Sequence, residues 1–321
     1  MTYQAGIELE AKLKSGVSLD EVIRAIRQAG IEIRDDRYTH NGDIPVTGWK
    51  VVYDGTPSQD GRDIWEFVTK PIHGAKTIEE MILEMCPVLQ QFCDVDRDCG
   101  YHIHFSILDK YHFKRRVDTT TRMGRLKALR NKPSKLFVAE LIRNYNYFQT
   151  VMDSFVSPSR RGNERVCGGN EAPDYAVMST KQDVKDWATT SNAGAETLQG
   201  EWDSARYHKV NLLALRRFGT VEYRQHQGTL NATKILNWMK LMERFTTRAW
   251  DRNYKDLDCR DFDVNVDGLF DFLGLGRCDR SLREYYRKRA SGFGYHRLAN
   301  PELVARRRVE YARAFARLGR A

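Results

Sequence analysis

Apolar and polar residues alternate through AGIELEAKL, residues 5–13, with the two-residue period of a strand that has one face buried. The period then lengthens. Ser18-Leu-Asp-Glu21 is a capping box placed ahead of Val22, Ile23 and Ile26, and Gly30 closes the helix it opens. IEIR, WKVVY and IWEFVT read as short strands between turn-rich segments. A second capping box, Thr77-Ile-Glu-Glu80, starts a helix whose Ile78, Met81, Ile82, Met85 and Leu89 form one stripe, expected to pack across the sheet. YHIHFSI is the next strand. From Ser134 to Val156, the residues Leu136, Leu141, Tyr145, Phe148, Met152 and Phe155 recur at helical spacing and predict one amphipathic helix. Residues 157–200 are rich in Gly, Ser, Thr, Asn and Pro with little periodicity, which suits either a functional lid or a surface insertion. RYHKVNLLAL and GTVEYRQHQG give two strands, or a helix and a strand. NATKILNWMKLMERF gives a strong helix, and the remainder is charged and helical in character. Strands and helices mix without regular βαβ alternation or a glycine fingerprint, so the expected class is α+β with an antiparallel sheet.

With 321 residues and 41% hydrophobic composition the chain can bury a large core. The expected layout is a catalytic domain over residues 1–250, containing the irregular insertion 157–200, followed by a basic, mostly helical extension over 251–321. No run approaches the ~20 apolar residues of a membrane span, and MTYQAGIELE lacks the marks of a signal peptide. A cytoplasmic location with no membrane partner is therefore expected. The six cysteines form no C-x-x-C pair, which argues against zinc knuckles and redox dithiols. The net charge of +9 is unevenly spread. Residues 110–135 hold ten basic residues against one acidic, and residues 277–321 hold thirteen against four, so the rest of the chain is acidic overall. Such segments are solvated helix faces or tails, or else contacts to phosphate or nucleic acid.

Candidate chemistry comes from polar residues two apart on strands, where i and i+2 share a face. GIELE puts Glu8 with Glu10, CGYHIHF puts His102 with His104, and GTVEYRQH puts Glu222 with Arg224 and His226 next in the row. Glu66 projects between Trp65 and Phe67, with Asp54 in the turn upstream. Each pair taken alone is an ordinary exposed strand face. If these strands are neighbours, one face gathers carboxylates, two histidines and an arginine, an arrangement that is electrostatically costly without bound cations. Carboxylate oxygens without cysteine suit Mg²⁺ or Mn²⁺ better than zinc or copper. Two or three such ions on one face suit phosphoryl transfer, and an arginine there completes a phosphate clamp. No Walker or kinase glycine loop is present, so metals would have to hold the phosphates of ATP.

The ordered set GIELE, DGT with WEFVTKP, CGYHIHF, RYHKVN and GTVEYRQHQGTLN resembles the amidoligase family, relatives of glutamine synthetase and glutamate-cysteine ligase, over roughly Ala5 to Met242. The resemblance implies a glutamine-synthetase-like fold, a curved antiparallel sheet flanked by helices, holding ATP and two or three Mg²⁺ ions. It implies one ion on Glu8, His102 and Glu222, and another on Glu10 with Glu66 and Asp54. It places His104 and Arg224 at the nucleotide phosphates, and Arg206 and Asn211 near the substrate, Asn211 also toward the nucleotide. Thr56 and Thr69-Lys70-Pro71 depart from the family's usual serines, and Lys70 stands near the implied acceptor site. The implied reaction is amide or isopeptide formation through an acyl phosphate, with Arg224, Glu222, Glu66 and Arg206 in the catalytic set. Glu164 or Glu171 could act as base for the amine, and Arg160 and Arg161 could close over phosphate. Other readings stay open: a guanidino phosphotransferase of the same fold, a nucleic-acid-binding protein, or a ligase acting on modified DNA through the basic segments 110–135 and 277–321. The carboxylate and amine, small molecules or peptides, and the oligomeric state are not specified by the sequence.

Overall fold

A computed structural model describes residues 4–38, 44–45, 47–56, 58–70, 77–106, 132–161, 208–211, 214–215, 218–250, 258–275 and 279–294. In chain order the elements are β1 (Gln4–Leu13), α1 (Leu19–Gln28), β2 (Ile33–Asp35), β3 (Trp49–Asp54), β4 (Ile64–Val68), α2 (Ile78–Phe92), β5 (Cys93–Asp94) and β6 (Gly100–Ser106). There follow α3 (Lys132–Tyr147), α4 (Gln149–Ser154), β7 (Val210–Asn211), β8 (Thr220–Gln227), α5 (Ala232–Trp250), α6 (Val266–Phe272) and α7 (Arg280–Gly292). The chain divides into two compact units, Met1–His112 with Ala214–Glu243, and Phe113–Leu213 with Arg244–Ala321. Among the described residues no helix is long and apolar enough to cross a membrane.

The first unit is an open sheet in the order β2-β3-β4-β1-β6-β8, with β5 on the end of β1. All its pairings are antiparallel except that of β2 with β3. That exception departs from the all-antiparallel expectation. The chain between these two strands is long enough for the crossover a parallel pair needs. The predicted alternation of β1 holds. Ala5, Ile7, Leu9 and Ala11 are buried on one face, in company with Val51, Phe67, Tyr101, Ile103, Phe105, Val221 and Tyr223 from the neighbouring strands.

Helices supply the matching apolar stripes. Both capping boxes form: Ser18 accepts from the Glu21 amide while the Glu21 carboxylate accepts from the Ser18 amide at 2.7 Å, and Thr77 and Glu80 do the same. The boxes set the phase that buries Val22 and Ile26 of α1, and Met81, Ile82, Met85 and Leu89 of α2. Each such side chain contributes roughly 1.5–3 kcal/mol on leaving water. The start of α5 is tied to β6 by the Tyr101 hydroxyl, which donates to the Ile235 carbonyl at 3.3 Å. Trp238 of α5 is fully buried beside His226, their ring centroids 5.1 Å apart.

His226 therefore does not continue the row of Glu222 and Arg224. The β6–β8 register steps from Ile103↔Tyr223 to Tyr101↔His226, so Arg224 and Gln225 both stand opposite His102. This bulge inverts the alternation and turns His226 onto the apolar face, between Tyr101 and Trp238.

In the second unit, the single helix expected over Ser134–Val156 is two helices, α3 and α4, separated at Phe148 (φ −96°, ψ 9°). The Phe148 amide still donates to the Asn144 carbonyl and its own carbonyl accepts from Met152, so the apolar spacing runs through the break unaltered. The ring of Phe148 lies 5.2 Å from that of Phe272 in α6. Buried Lys209 donates to Asp153 of α4 at 2.7 Å. On α7, Arg283 pairs with Asp271 and Arg287 with Asp267, both from α6, so part of the C-terminal basic segment neutralises acids of its own unit. Residues 107–131 and 295–321, which carry most of the two basic segments, lie outside the described residues.

Candidate cation-binding face

Opposite the helices, the first unit's sheet collects the polar row. Glu8 pairs in register with His102, Glu10 with Glu66, and Glu222 with His104, so successive strands deliver side chains to one area. Three of them, Glu8, His102 and Glu222, bring ligand-capable atoms within 4.8 Å of one another. Glu10, Asp54 and Glu66 do the same immediately alongside. His102 links the two groups. Its Nδ1 is 3.1 Å from Glu8 and 3.7 Å from Glu222, while its Nε2 is 3.4 Å from Glu10. The imidazole is 1% exposed, and Nε2 has no hydrogen-bond partner among the described residues.

His104 Nε2 lies 3.1 Å from Glu8, and its Nδ1 is 3.0 Å from the Thr220 hydroxyl, which fixes the ring. The Arg224 guanidinium donates to Glu222. Asp54 accepts from the amide and hydroxyl of Thr56, at 3.2 and 2.8 Å, which holds its carboxylate as the chain leaves β3. The backbone closes in at Gly100, whose amide donates to Glu10. A Cβ there would stand 2.7 Å from His102 Nε2 and 3.2 Å from both Glu10 oxygens, so any other residue would displace the His102 ring or the Glu10 carboxylate.

The electrostatics are unbalanced. Burial opposes the charge of Glu8, yet His104 and His102 outweigh it and hold this carboxyl well below the ordinary range. Burial likewise opposes the charge of Glu222, and Arg224 and His104 keep it low. Burial lowers His104 less than Glu222 and Glu8 raise it. Glu66 goes the other way: burial, then Glu8, Glu10 and Asp54, push its carboxyl well above the usual value, more than Arg224 can offset. Among the described residues, the two groups thus bring five carboxylates together with Arg224 and two imidazoles. The donor set, oxygen-rich with imidazole and no thiol, fits Mg²⁺ or Mn²⁺, and the orphaned His102 Nε2 fits it too.

Asn211 is buried in β7, in the second unit. Arg206, Glu164 and Glu171 lie outside the described residues. Arg160 is 1% exposed, and Arg161 donates to the Val156 and Phe293 carbonyls with its guanidinium over the Phe293 ring. Lys70 is half-buried at the end of β4. Thr69 fastens that end to β1 by accepting from the Ile7 amide at 3.0 Å.

Sequence reasoning passed over a third acidic group, Asp60, Asp96 and Asp98, gathered on Lys12. The signal was present: Lys12 continues the Glu8, Glu10 spacing, and DVDRD repeats acids at the same interval. Thr220 and Gly100 were also missed, because their parts depend on a neighbouring strand.

Fold and site together define a mixed α+β protein with a partly buried, carboxylate- and histidine-lined sheet face. The model of the family described as "Putative amidoligase enzyme" matches residues 140–246, a span that takes in Asn211, Glu222 and Arg224. The β1, β3, β4 and β6 residues of the site precede it. No curated protein matches the chain.

Proposed function

We propose that this chain is an ATP-dependent carboxylate–amine ligase that works with two Mg²⁺ ions. The observation that carries this reading is the pair of adjoining carboxylate groups joined by His102, with Arg224 on the same face, in a chain whose Glu222 and Arg224 fall within the amidoligase match. Glu8, His102 and Glu222 would hold one ion, and Glu10, Glu66 and Asp54 the other. Such ions would supply positive charge to offset the charge that develops during phosphoryl transfer.

The chain's own residues do the rest. Arg224, held in place by Glu222, presents a permanent cation to the phosphoryl oxygens. His104, fixed by Thr220, adds a second donor on that side. The γ-phosphoryl group passes from ATP to the substrate carboxylate, giving an acyl phosphate and ADP. The amine then attacks the acyl carbon and expels inorganic phosphate, leaving an amide and a proton. No protein nucleophile is needed, because positioning and charge neutralisation supply the catalysis.

The test is ADP and phosphate release by the full chain with ATP and Mg²⁺ across amino acids, polyamines and peptides, beside Glu222→Gln. Substrate-dependent release, lost in the variant and accompanied by a product one water lighter than its reactants, supports the ligase. A phosphorylated product with no amide would instead indicate the guanidino phosphotransferase. Absence of turnover with any acceptor would sink the enzyme reading.

A further inference from the structure

Lys12 follows Glu8 and Glu10 at the same spacing on β1, and its side chain is entirely buried. Its ammonium donates to Asp96 at 2.6 Å and to Asp60 and Asp98 at 2.9 Å each. These three acids are as closely gathered as the two groups beside them, within 4.8 Å, and here the counter-cation belongs to the protein. Burial works against the ammonium, yet the bonds from Asp96, Asp60 and Asp98 more than offset it and raise its pKa.

The acids come from two loops. Asp60 sits in the connection that leaves β3 at Asp54, where it also accepts from Ser58 at 3.0 Å and Arg62 at 2.7 Å. Asp96 and Asp98 lie in the turn that ends at Gly100, and the Asp98 amide donates to Asp96 at 2.9 Å. The loops are stitched to each other as well, since the Gln59 amide donates to Asp98 at 2.8 Å. Each loop leads within a few residues to the second carboxylate group: one to Asp54, the other to Gly100, whose amide bonds Glu10. Glu10 and Glu66 themselves stand within β1 and β4, so the loops meet this group at Asp54 and Gly100, whereas all three members of the Glu8 group come from the interiors of β1, β6 and β8.

We infer that Lys12 is a positioning residue for the Glu10–Asp54–Glu66 group, gathering the two loops that deliver and hold it, and that this group's cation affinity depends on it. The affinity claim rests on the cation-binding reading above. Without the ammonium, three close carboxylates repel one another and both loops lose their common anchor.

The experiment is Mn²⁺ titration of the full chain, with free Mn²⁺ read by electron paramagnetic resonance, for wild type, Lys12→Met, Glu10→Gln and the double variant. Lys12→Met is expected to weaken one ion by about tenfold or more while the other changes by less than about twofold, with no further loss in the Glu10→Gln background. Asp60→Asn leaves Lys12 two partners and should weaken the same ion by less, which keeps the test available if Lys12→Met does not fold. Equal weakening of both ions, or no change in either, overturns the inference. If wild type takes up no Mn²⁺, the cation reading fails and the affinity claim falls with it. Amide exchange over residues 54–62 and 94–100 then decides the anchoring: faster exchange in Asp60→Asn upholds it, and unchanged exchange overturns it.

Discussion

On one face of the first unit's sheet, Ile7, Leu9, Ile103 and Tyr223 meet helices whose side chains fill the space. On the other, Glu8, Glu10, Glu66 and Glu222 gather with His102, His104 and Arg224. The same strands build both faces, residue by residue in alternation, yet the first gains from burial throughout, whereas on the second burial is offset at Glu8 and Glu222 by His102, His104 and Arg224 and left uncompensated at Glu66. A half-buried carboxylate with its pKa driven up, such as Glu66, is a group the fold tolerates because the apolar face more than compensates. Such a division is expected where stability and chemistry are assigned to different sides of one scaffold.

The comparison breaks most sharply at Trp238. Trp238→Ala should cost about 3–5 kcal/mol in denaturant unfolding, by opening a cavity beside His226, while the folded fraction keeps its Mn²⁺ affinity. A variant that loses both together would show that the faces are not separable.

Glu222→Gln acts on the other side. Turnover should fall by roughly 10²- to 10³-fold, the scale of a lost electrostatic contact in a transition state, and the melting temperature should also fall, because Arg224 loses the carboxylate it donates to. Steady-state kinetics and calorimetry on one preparation would check this.

Next comes pH. Glu66 and His104 have raised values in the folded state, so the stability each contributes is present below its unfolded pKa and lost as pH rises through the folded one. Glu8 and Glu222 behave oppositely, losing their contribution only as pH falls through their lowered values. In chelator, the melting temperature should therefore decline between about pH 5 and 8, and saturating Mg²⁺ should flatten that decline. A melting temperature that rises over this range in chelator would contradict the charge arrangement described.

The smallest effect sharpens the comparison furthest. Glu66→Gln should stabilise the chelated protein by about 1 kcal/mol, more at high pH than at low, because it removes a repelled carboxylate. The same change should weaken Mn²⁺ binding. Destabilisation instead would mean that Glu66 serves the fold.

Much of the site is legible in the order of residues along the chain. Glu8, Glu10, His102, His104 and Glu222 read as one face because side-chain alternation is a local property of a strand, and each motif carries its own phase. The two capping boxes are legible for the same reason. His226 is not, because a bulge opposite His102 shifts the phase by one residue, and nothing within GTVEYRQH marks it. The Phe148 break is invisible because the apolar spacing continues across it.

What the sequence by itself determined is therefore the strands and capped helices of the first unit, the shared face of Glu8, Glu10, His102, His104 and Glu222, and a chemistry of carboxylates, imidazoles and arginine without thiols. Which strands lie side by side was decided only by the tertiary structure, along with the inversion at His226, the close approach of Gly100 to His102 and Glu10 and the capture of three aspartates by Lys12. The physical reason is range: periodicity and capping act over a few residues, whereas Lys12 meets Asp60, Asp96 and Asp98 across 48 to 86 positions of chain. Only the pairing of β1 with β4, β5 and β6 closes that distance.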